Sequence, residues 1–123
     1  MRSRSNRARL LVVEDEYIIA TELAAALEEE GFTVVGPAAT VARGHALLQD
    51  SRMDGAILDI NVRGESIFPL ADELARDDVP FLFFTGYDAR VIPDRFADVP
   101  CCQKPFAPVS LIGIVEKRIV RPC

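Results

Sequence analysis

The sequence predicts one α/β domain built on a doubly wound, five-stranded parallel sheet. Three observations carry that expectation. Short apolar runs alternate five times with longer stretches of helical period, and such alternation implies parallel strands joined by right-handed crossovers, with helices on both faces. The run Ala56-Ile57-Leu58 is apolar on both faces, as suits a strand covered from both sides. The chain has 123 residues, 50% hydrophobic and 27% charged, the size and balance of a single globular core.

The first strand is Arg9–Val13, which runs into Glu14-Asp15-Glu16. In the helix that follows, Ile19, Leu23, Ala26 and Leu27 fall on one stripe, Glu28–Glu30 form its solvated end, and Gly31 stops it. A second strand, Phe32–Val35, is closed by Gly36-Pro37. Thr40 is the N-cap of a helix reaching Asp50, which carries the only histidine, His45, as a surface or half-buried residue. Asp54–Ile60 is the third strand and Asn61–Gly64 a loop. A helix from Ser66 then buries Ile67, Leu70, Ala71, Leu74 and Ala75, with Pro69 tolerated in its first turn.

Pro80 opens the fourth strand, Phe81–Phe84. Gly86–Phe96 is expected as a short, distorted or mobile helix, because Gly86 and Pro93 both weaken it. Val99–Gln103 is the fifth strand, Lys104-Pro105 a turn, and Ala107–Ile119 the last helix. On that helix Ile112, Val115 and Ile119 are expected to cover the sheet, which leaves Leu111 and Ile114 as surplus apolar surface of the kind that marks an interface.

Ligands of such sheets bind beyond the carboxyl ends of the strands. Glu14 and Asp15 end the first strand, Asp59 the third and Thr85 the fourth, and Lys104 follows the fifth. Carboxylates brought together repel unless a cation neutralises them, and hard oxygen ligands with room for water suit Mg²⁺. A carboxylate can also act as a nucleophile toward a phosphoryl group, with a cation, an ammonium and a hydroxyl stabilising the phosphoryl oxygens.

These residues resemble the response regulator receiver domains of two-component signalling, the CheY-like family. The resemblance rests on Leu10-Leu11-Val12-Val13-Glu14-Asp15-Glu16, Ile57-Leu58-Asp59-Ile60-Asn61, Phe84-Thr85-Gly86 and Lys104-Pro105, and it spans about Leu10–Val120. It implies a flavodoxin-like (βα)5 fold with strand order 2-1-3-4-5, a receiver domain over residues 10–120, a flexible basic tail over 1–9 and a C-terminal tail over 121–123. It implies that Asp59 accepts a phosphoryl group. Mg²⁺ would be held by Asp15, Asp59 and the backbone carbonyl of Asn61, with Glu14 acting through water. Thr85 and Lys104 would hold the phosphoryl oxygens. The resemblance also implies a cis peptide between Lys104 and Pro105, an isomer that X–Pro bonds make accessible.

The chain departs from the family where Cys101 occupies a position that is usually Tyr or Phe, so the usual aromatic switch is missing. Tyr87 stands instead two residues after Thr85. The run Phe83-Phe84-Thr85-Gly86-Tyr87 is similar to the Phe-Ala-Thr-Gly-x-Tyr motif of an atypical subgroup, though spaced differently. Members of that subgroup are often stand-alone alphaproteobacterial receivers linked to kinases of the HWE/HisKA2 type. Tyr87 and the segment Gly86–Phe96 are then the expected movable element. The implied partners are a histidine kinase or phosphotransfer protein and a downstream protein, with a monomer or a weak homodimer through the last helix. Such a domain catalyses only its own phosphorylation and dephosphorylation, as a stand-alone regulator or as a fragment of a longer protein.

Two other classes compete. A small Mg²⁺-dependent phosphohydrolase with an aspartate nucleophile resembles the Asp59-x-Asn61 spacing, but Asn61 stands where that chemistry needs a second acid, and the chain has no cap. A phosphorylation-independent interaction module would keep the fold and dispense with the chemistry.

Charge and cysteines narrow the setting. Net charge is −5, and Arg2, Arg4, Arg7 and Arg9 are set apart at the start, leaving ten basic against nineteen acidic residues. That excess opposes nucleic-acid binding. The basic start reads as a disordered arm, with a remnant segment or a weak anionic contact as alternatives. No apolar run approaches the roughly 20 residues of a membrane span, and no secretory signal follows the arginines. Cys101, Cys102 and Cys123 lack metal-ligand spacing and read as reduced thiols of a cytoplasmic protein.

Overall fold

A computed structural model describes residues 8–86, 91–104 and 107–120. Its elements in order are β1 (Arg9–Val13), α1 (Tyr17–Glu29), β2 (Thr33–Ala38), α2 (Val41–Asp50), β3 (Gly55–Asp59), β4 (Asn61–Val62), β5 (Glu65–Ser66), α3 (Phe68–Arg76), β6 (Phe81–Thr85), β7 (Cys101–Gln103) and α4 (Pro108–Val115). Five strands form one parallel sheet in the order β2-β1-β3-β6-β7, which is the expected order 2-1-3-4-5 of the principal strands. A two-stranded antiparallel ribbon, β4-β5, stands apart.

Alternation along each strand divides the core in two, because successive side chains point to opposite faces. Leu11, Val13, Ala56, Leu58, Phe81 and Phe83 face α2 and α3, with Ile67, Leu70, Ala71 and Leu74 beneath them. Leu10, Val12, Ile57, Leu82 and Phe84 face α1 and α4, meeting Leu23, Leu27, Leu111 and Val115. Every residue of β3 and β6 is buried, which explains why both read as continuous apolar runs. Cys101 and Cys102 are free, and they pack on opposite faces of the sheet.

The structure corrects several expectations. β2 does not stop at Gly36-Pro37 but runs through it to Ala38, across an irregularity opposite Val12 and a cis Gly36-Pro37 peptide. Gly36 has φ +100, and a β-carbon there would lie 2.9 Å from the Val12 carbonyl, so only glycine fits. The expected loop Asn61–Gly64 belongs to the β4-β5 ribbon. Ala75 is exposed: α3 begins at Phe68, and its buried stripe ends at Leu74. Arg9, counted from sequence both with the basic tail and as the first residue of the first strand, belongs to the strand: it opens β1, with its side chain on Ser51 and Arg52.

Where a fourth crossover helix was expected, the described part of Gly86–Phe96 contains no α-helix, only 3₁₀ structure at Val91 and over Asp94–Phe96. Pro93 has no N–H to donate, and Phe96 anchors the turn in an aromatic cluster with Phe68, Phe81 and Phe83. Along α4 and the turn that follows it the buried stripe is Leu111, Val115 and Ile119, whereas Ile112 and Ile114 are half-buried against the same cluster. Leu111 is therefore core and not surplus. A π turn over Glu116–Val120 follows, and its wider turn offsets the drift that steps of four accumulate at 3.6 residues per turn. His45 is half-buried on α2 and pairs with Glu73 of α3 at 2.9 Å. Tyr87, Pro105 with the expected cis Lys104-Pro105 peptide, Cys123, residues 1–7 and residues 121–123 lie outside the described residues.

Candidate functional site

The parallel sheet brings the ends of β1, β3 and β6 and the start of the β7–α4 connection to one edge. Glu14 follows β1 and is held beside β2, its N–H donating to the Ala38 carbonyl at 2.9 Å. Asp59 is the last residue of β3 and pairs in register with Phe84. Thr85 ends β6, and its carbonyl accepts the Lys104 N–H at 2.8 Å, so the backbone itself sets the lysine beside the threonine. Glu14, Asp59 and Thr85 are 1%, 4% and 1% exposed, and among the described residues they are the buried polar and charged side chains of an otherwise apolar core.

Lys104 Nζ organises these groups. It lies 2.7 Å from Glu14 Oε2, 2.9 Å from Glu16 Oε1 and 3.2 Å from Asp59 Oδ2. The contacts to Glu16 and Asp59 are hydrogen bonds. The contact to Glu14 Oε2 is an ion pair whose angles do not make a hydrogen bond, so this buried oxygen is charge-paired but not fully satisfied. Below the ammonium lies the Phe84 ring, 5.0 Å from its centroid.

The electrostatics follow from this crowding. Burial pushes the Glu14 carboxyl up to about 7; Lys104 and the Glu16 N–H pull it down, and Asp59 pushes it up again. Burial works against the Lys104 ammonium, but its close contacts with the carboxylates of Glu14 and Glu16 and the charge of Asp59 outweigh it and raise its pKa above the usual lysine range. One cation is thus shared by more negative charge than it can neutralise.

One carboxylate oxygen each from Glu14, Asp15 and Asp59 come within 4.8 Å of one another. Three carboxylates this close, with Glu14 Oε2 buried and lacking a hydrogen bond, fit a divalent cation of the Mg²⁺ kind. Asp15 is half-exposed, and its Oδ2 accepts the Arg63 N–H at 3.0 Å. The cleft over these groups measures about 550 Å³ and is lined by Asp15, Glu16, Asp59, Asn61, Arg63 and Lys104, with two glycines.

The structure therefore brings Glu14, Asp15, Asp59, Thr85 and Lys104 to one edge, and places Asn61 on the cleft wall. The Asn61 side chain is engaged in the ribbon, its Oδ1 accepting from Gly64 N at 2.9 Å. Cys101 is not in the cleft but half-buried in the core beside Phe83. Two cleft residues were not singled out from sequence. Glu16 looked like the end of an acidic run, and only the fold shows it reaching across 88 positions to Lys104. Arg63 acts through its backbone, at φ 53 in the ribbon turn, and leaves no side-chain signature. Among the described residues, no helix is long and apolar enough to cross a membrane.

Comparison with known proteins agrees with this geometry. The family described as the response regulator receiver domain matches residues 10–116. The transcriptional regulatory protein PdtaR of Mycobacterium tuberculosis is 29% identical over 117 residues, covering 92% of this chain and 57% of that protein. The phyllosphere-induced regulator PhyR of Methylorubrum extorquens is 30% identical over 114 residues, covering 89% and 43%. The chain thus spans about half the length of these relatives. The solution structure of SdrG from Sphingomonas melonis Fr1 superposes with a TM-score of 0.78 at 41% identity, covering 91% of this chain and 94% of that one.

Proposed function

From a chain that belongs to the response regulator receiver family, we propose a phosphorylation-dependent switch with Asp59 as its phosphoryl acceptor. Receiver domains are signalling modules that meet histidine kinases or phosphotransfer proteins and downstream partners. The observation that carries the specific reading is the Lys104 ammonium, 3.2 Å from Asp59 and 2.7 Å from Glu14 at a carboxylate cluster.

In this reading a phosphohistidine donor enters the cleft. A carboxylate oxygen of Asp59 forms the bond to phosphorus as the P–N bond breaks, and the departing imidazole takes a proton. Asp15, Asp59 and the Asn61 carbonyl would hold Mg²⁺, with Glu14 acting through water, and the cation would supply charge neutralisation at the phosphoryl oxygens. Lys104 neutralises a second face, and the Thr85 hydroxyl donates to a third oxygen. Hydrolysis of the acyl phosphate resets the domain. Tyr87, through the segment after Thr85, carries the change to a downstream protein in place of the aromatic that Cys101 replaces. The run Phe83-Phe84-Thr85-Gly86-Tyr87 supports the placement with the Phe-Ala-Thr-Gly-x-Tyr subgroup and a kinase of the HWE/HisKA2 type.

The test is intact mass after acid quench, with acetyl phosphate and with a phosphorylated histidine kinase as donors. One added phosphoryl group is expected, dependent on Mg²⁺ and absent in Asp59→Asn. No adduct from either donor, with partner binding equal in wild type and Asp59→Asn, would make the chain a phosphorylation-independent interaction module. Steady turnover of phosphomonoesters would make it a phosphohydrolase.

A further inference from the structure

We infer that Glu16 is a positioning residue that competes with the phosphoryl group for the Lys104 ammonium and so sets how readily the site takes up an anion. The inference rests on the phosphoryl-acceptor reading of Asp59. Lys104 has three protons to donate, and three carboxylates surround it at 2.7–3.2 Å. A phosphoryl group on Asp59 brings further negative charge to the same ammonium. One of the three present partners must then give way.

The three are not equivalent. Glu14 and Asp59 are buried and belong to the carboxylate cluster that fits a cation. The Glu16 side chain is 60% exposed and stands outside that cluster. Its backbone is fixed at both ends: its N–H donates to Glu14 Oε1 at 3.0 Å, and its carbonyl accepts from Ala20 N at 2.9 Å to start α1. Its side chain caps nothing in the helix. Glu16 can thus swing its carboxylate into water without disturbing backbone or core, whereas Glu14 and Asp59 cannot. Release is cheap but not free, because the 2.9 Å contact to Lys104 is lost. An exposed ion pair of this kind changes an equilibrium by about two- to fivefold.

Trifluoroberyllate, whose beryllium becomes tetrahedral on binding a carboxylate oxygen and so stands in for a phosphoryl group there, is the probe. Its affinity is measured by calorimetry in saturating Mg²⁺ for wild type, Glu16→Gln, Glu65→Gln and Asp59→Asn. Glu65 is exposed on the ribbon and serves as a control for charge acting through space. In the Mg²⁺-free protein, the Lys104 ¹⁵Nζ resonance reports directly on the contact. Glu16→Gln is expected to tighten trifluoroberyllate about two- to fivefold and to shift the Lys104 Nζ signal, with Glu65→Gln doing neither. Unchanged affinity in Glu16→Gln, an unmoved Nζ signal, or an equal gain in Glu65→Gln overturns the role of Glu16 while Asp59-dependent binding by wild type leaves the switch reading standing. If wild type binds no better than Asp59→Asn, both fall together.

Discussion

Glu14 Oε2 sits 2.7 Å from Lys104 Nζ, yet burial still lifts the Glu14 carboxyl to about 7. The ammonium is divided among Glu14, Glu16 and Asp59, so no single carboxylate receives its full charge. A group whose folded pKa is raised contributes stability that is present below its unfolded value and lost as pH rises through the folded one. The Mg²⁺-free protein should therefore lose stability between about pH 4.5 and about pH 7. Glu14→Gln should flatten that decline, by about 1–3 kcal/mol. Urea unfolding in chelator at both ends of the window measures it. Parallel pH profiles for the two proteins would show that Glu14 does not drive the decline.

Mg²⁺ should reverse the same strain. A cation that binds only the folded cluster adds about 1.4 kcal/mol at ten times its dissociation constant. Asp15→Asn should remove most of that gain, because Asp15 supplies one of three clustered oxygens. Asp15→Asn should also leave the Mg²⁺-free protein at least as stable as wild type, since one charge leaves a crowded edge. Thermal unfolding with and without Mg²⁺ reads both effects, and an equal Mg²⁺ shift in wild type and Asp15→Asn would remove Asp15 from the cation site.

Much of this was legible because the governing signals are local. The apolar runs of β1, β3 and β6 ended at the residues that form the cleft edge, and the Thr40 cap was visible from its position before α2, where its Oγ1 accepts Arg43 N at 3.0 Å. What was hidden depended on contacts distant in sequence or on the backbone. β2 passes through Gly36-Pro37 because the sheet tolerates an irregularity there, which no periodicity predicts. The β4-β5 ribbon is too short for an alternating pattern. On α4 a uniform 3.6-residue turn puts Ile112 in the stripe, whereas the π turn aligns Ile119 with Leu111.

Ile119 also closes the sheet's second face at its amino end. A β-carbon on Gly55 would lie 2.5 Å from Ile119 Cδ1 and 2.7 Å from its Cγ2. Gly55→Ala should destabilise by about 1–3 kcal/mol through overpacking. Ile119→Ala should cost about 2–5 kcal/mol through a cavity. The double variant should cost clearly less than the two added together, since the new methyl occupies space that Ile119 vacates. A double-mutant cycle by urea unfolding decides this, and simple additivity would mean the two residues do not share the contact.

Phe96 holds the connection between β6 and β7 against the sheet. It stacks with Phe68 at 5.8 Å and meets Phe81 and Phe83 edge-on at 5.9 Å and 5.5 Å. The 3₁₀ turn around it has few bonds of its own, Phe96 N to Pro93 O and Ala97 N to Asp94 O, with Val99 N returning to Phe96 O. Side-chain burial and not helical hydrogen bonding therefore fixes this segment. Phe96→Ala should cost about 3–5 kcal/mol if the domain unfolds as one unit. If the segment detaches first, amide exchange at Ala97 and Val99 should accelerate far more than at the core residues Leu11 and Leu58. Exchange measured by mass spectrometry or NMR separates the two. Uniform acceleration would tie the segment to the global core, whereas local acceleration would make Phe96 the latch on a segment that leads directly from Thr85.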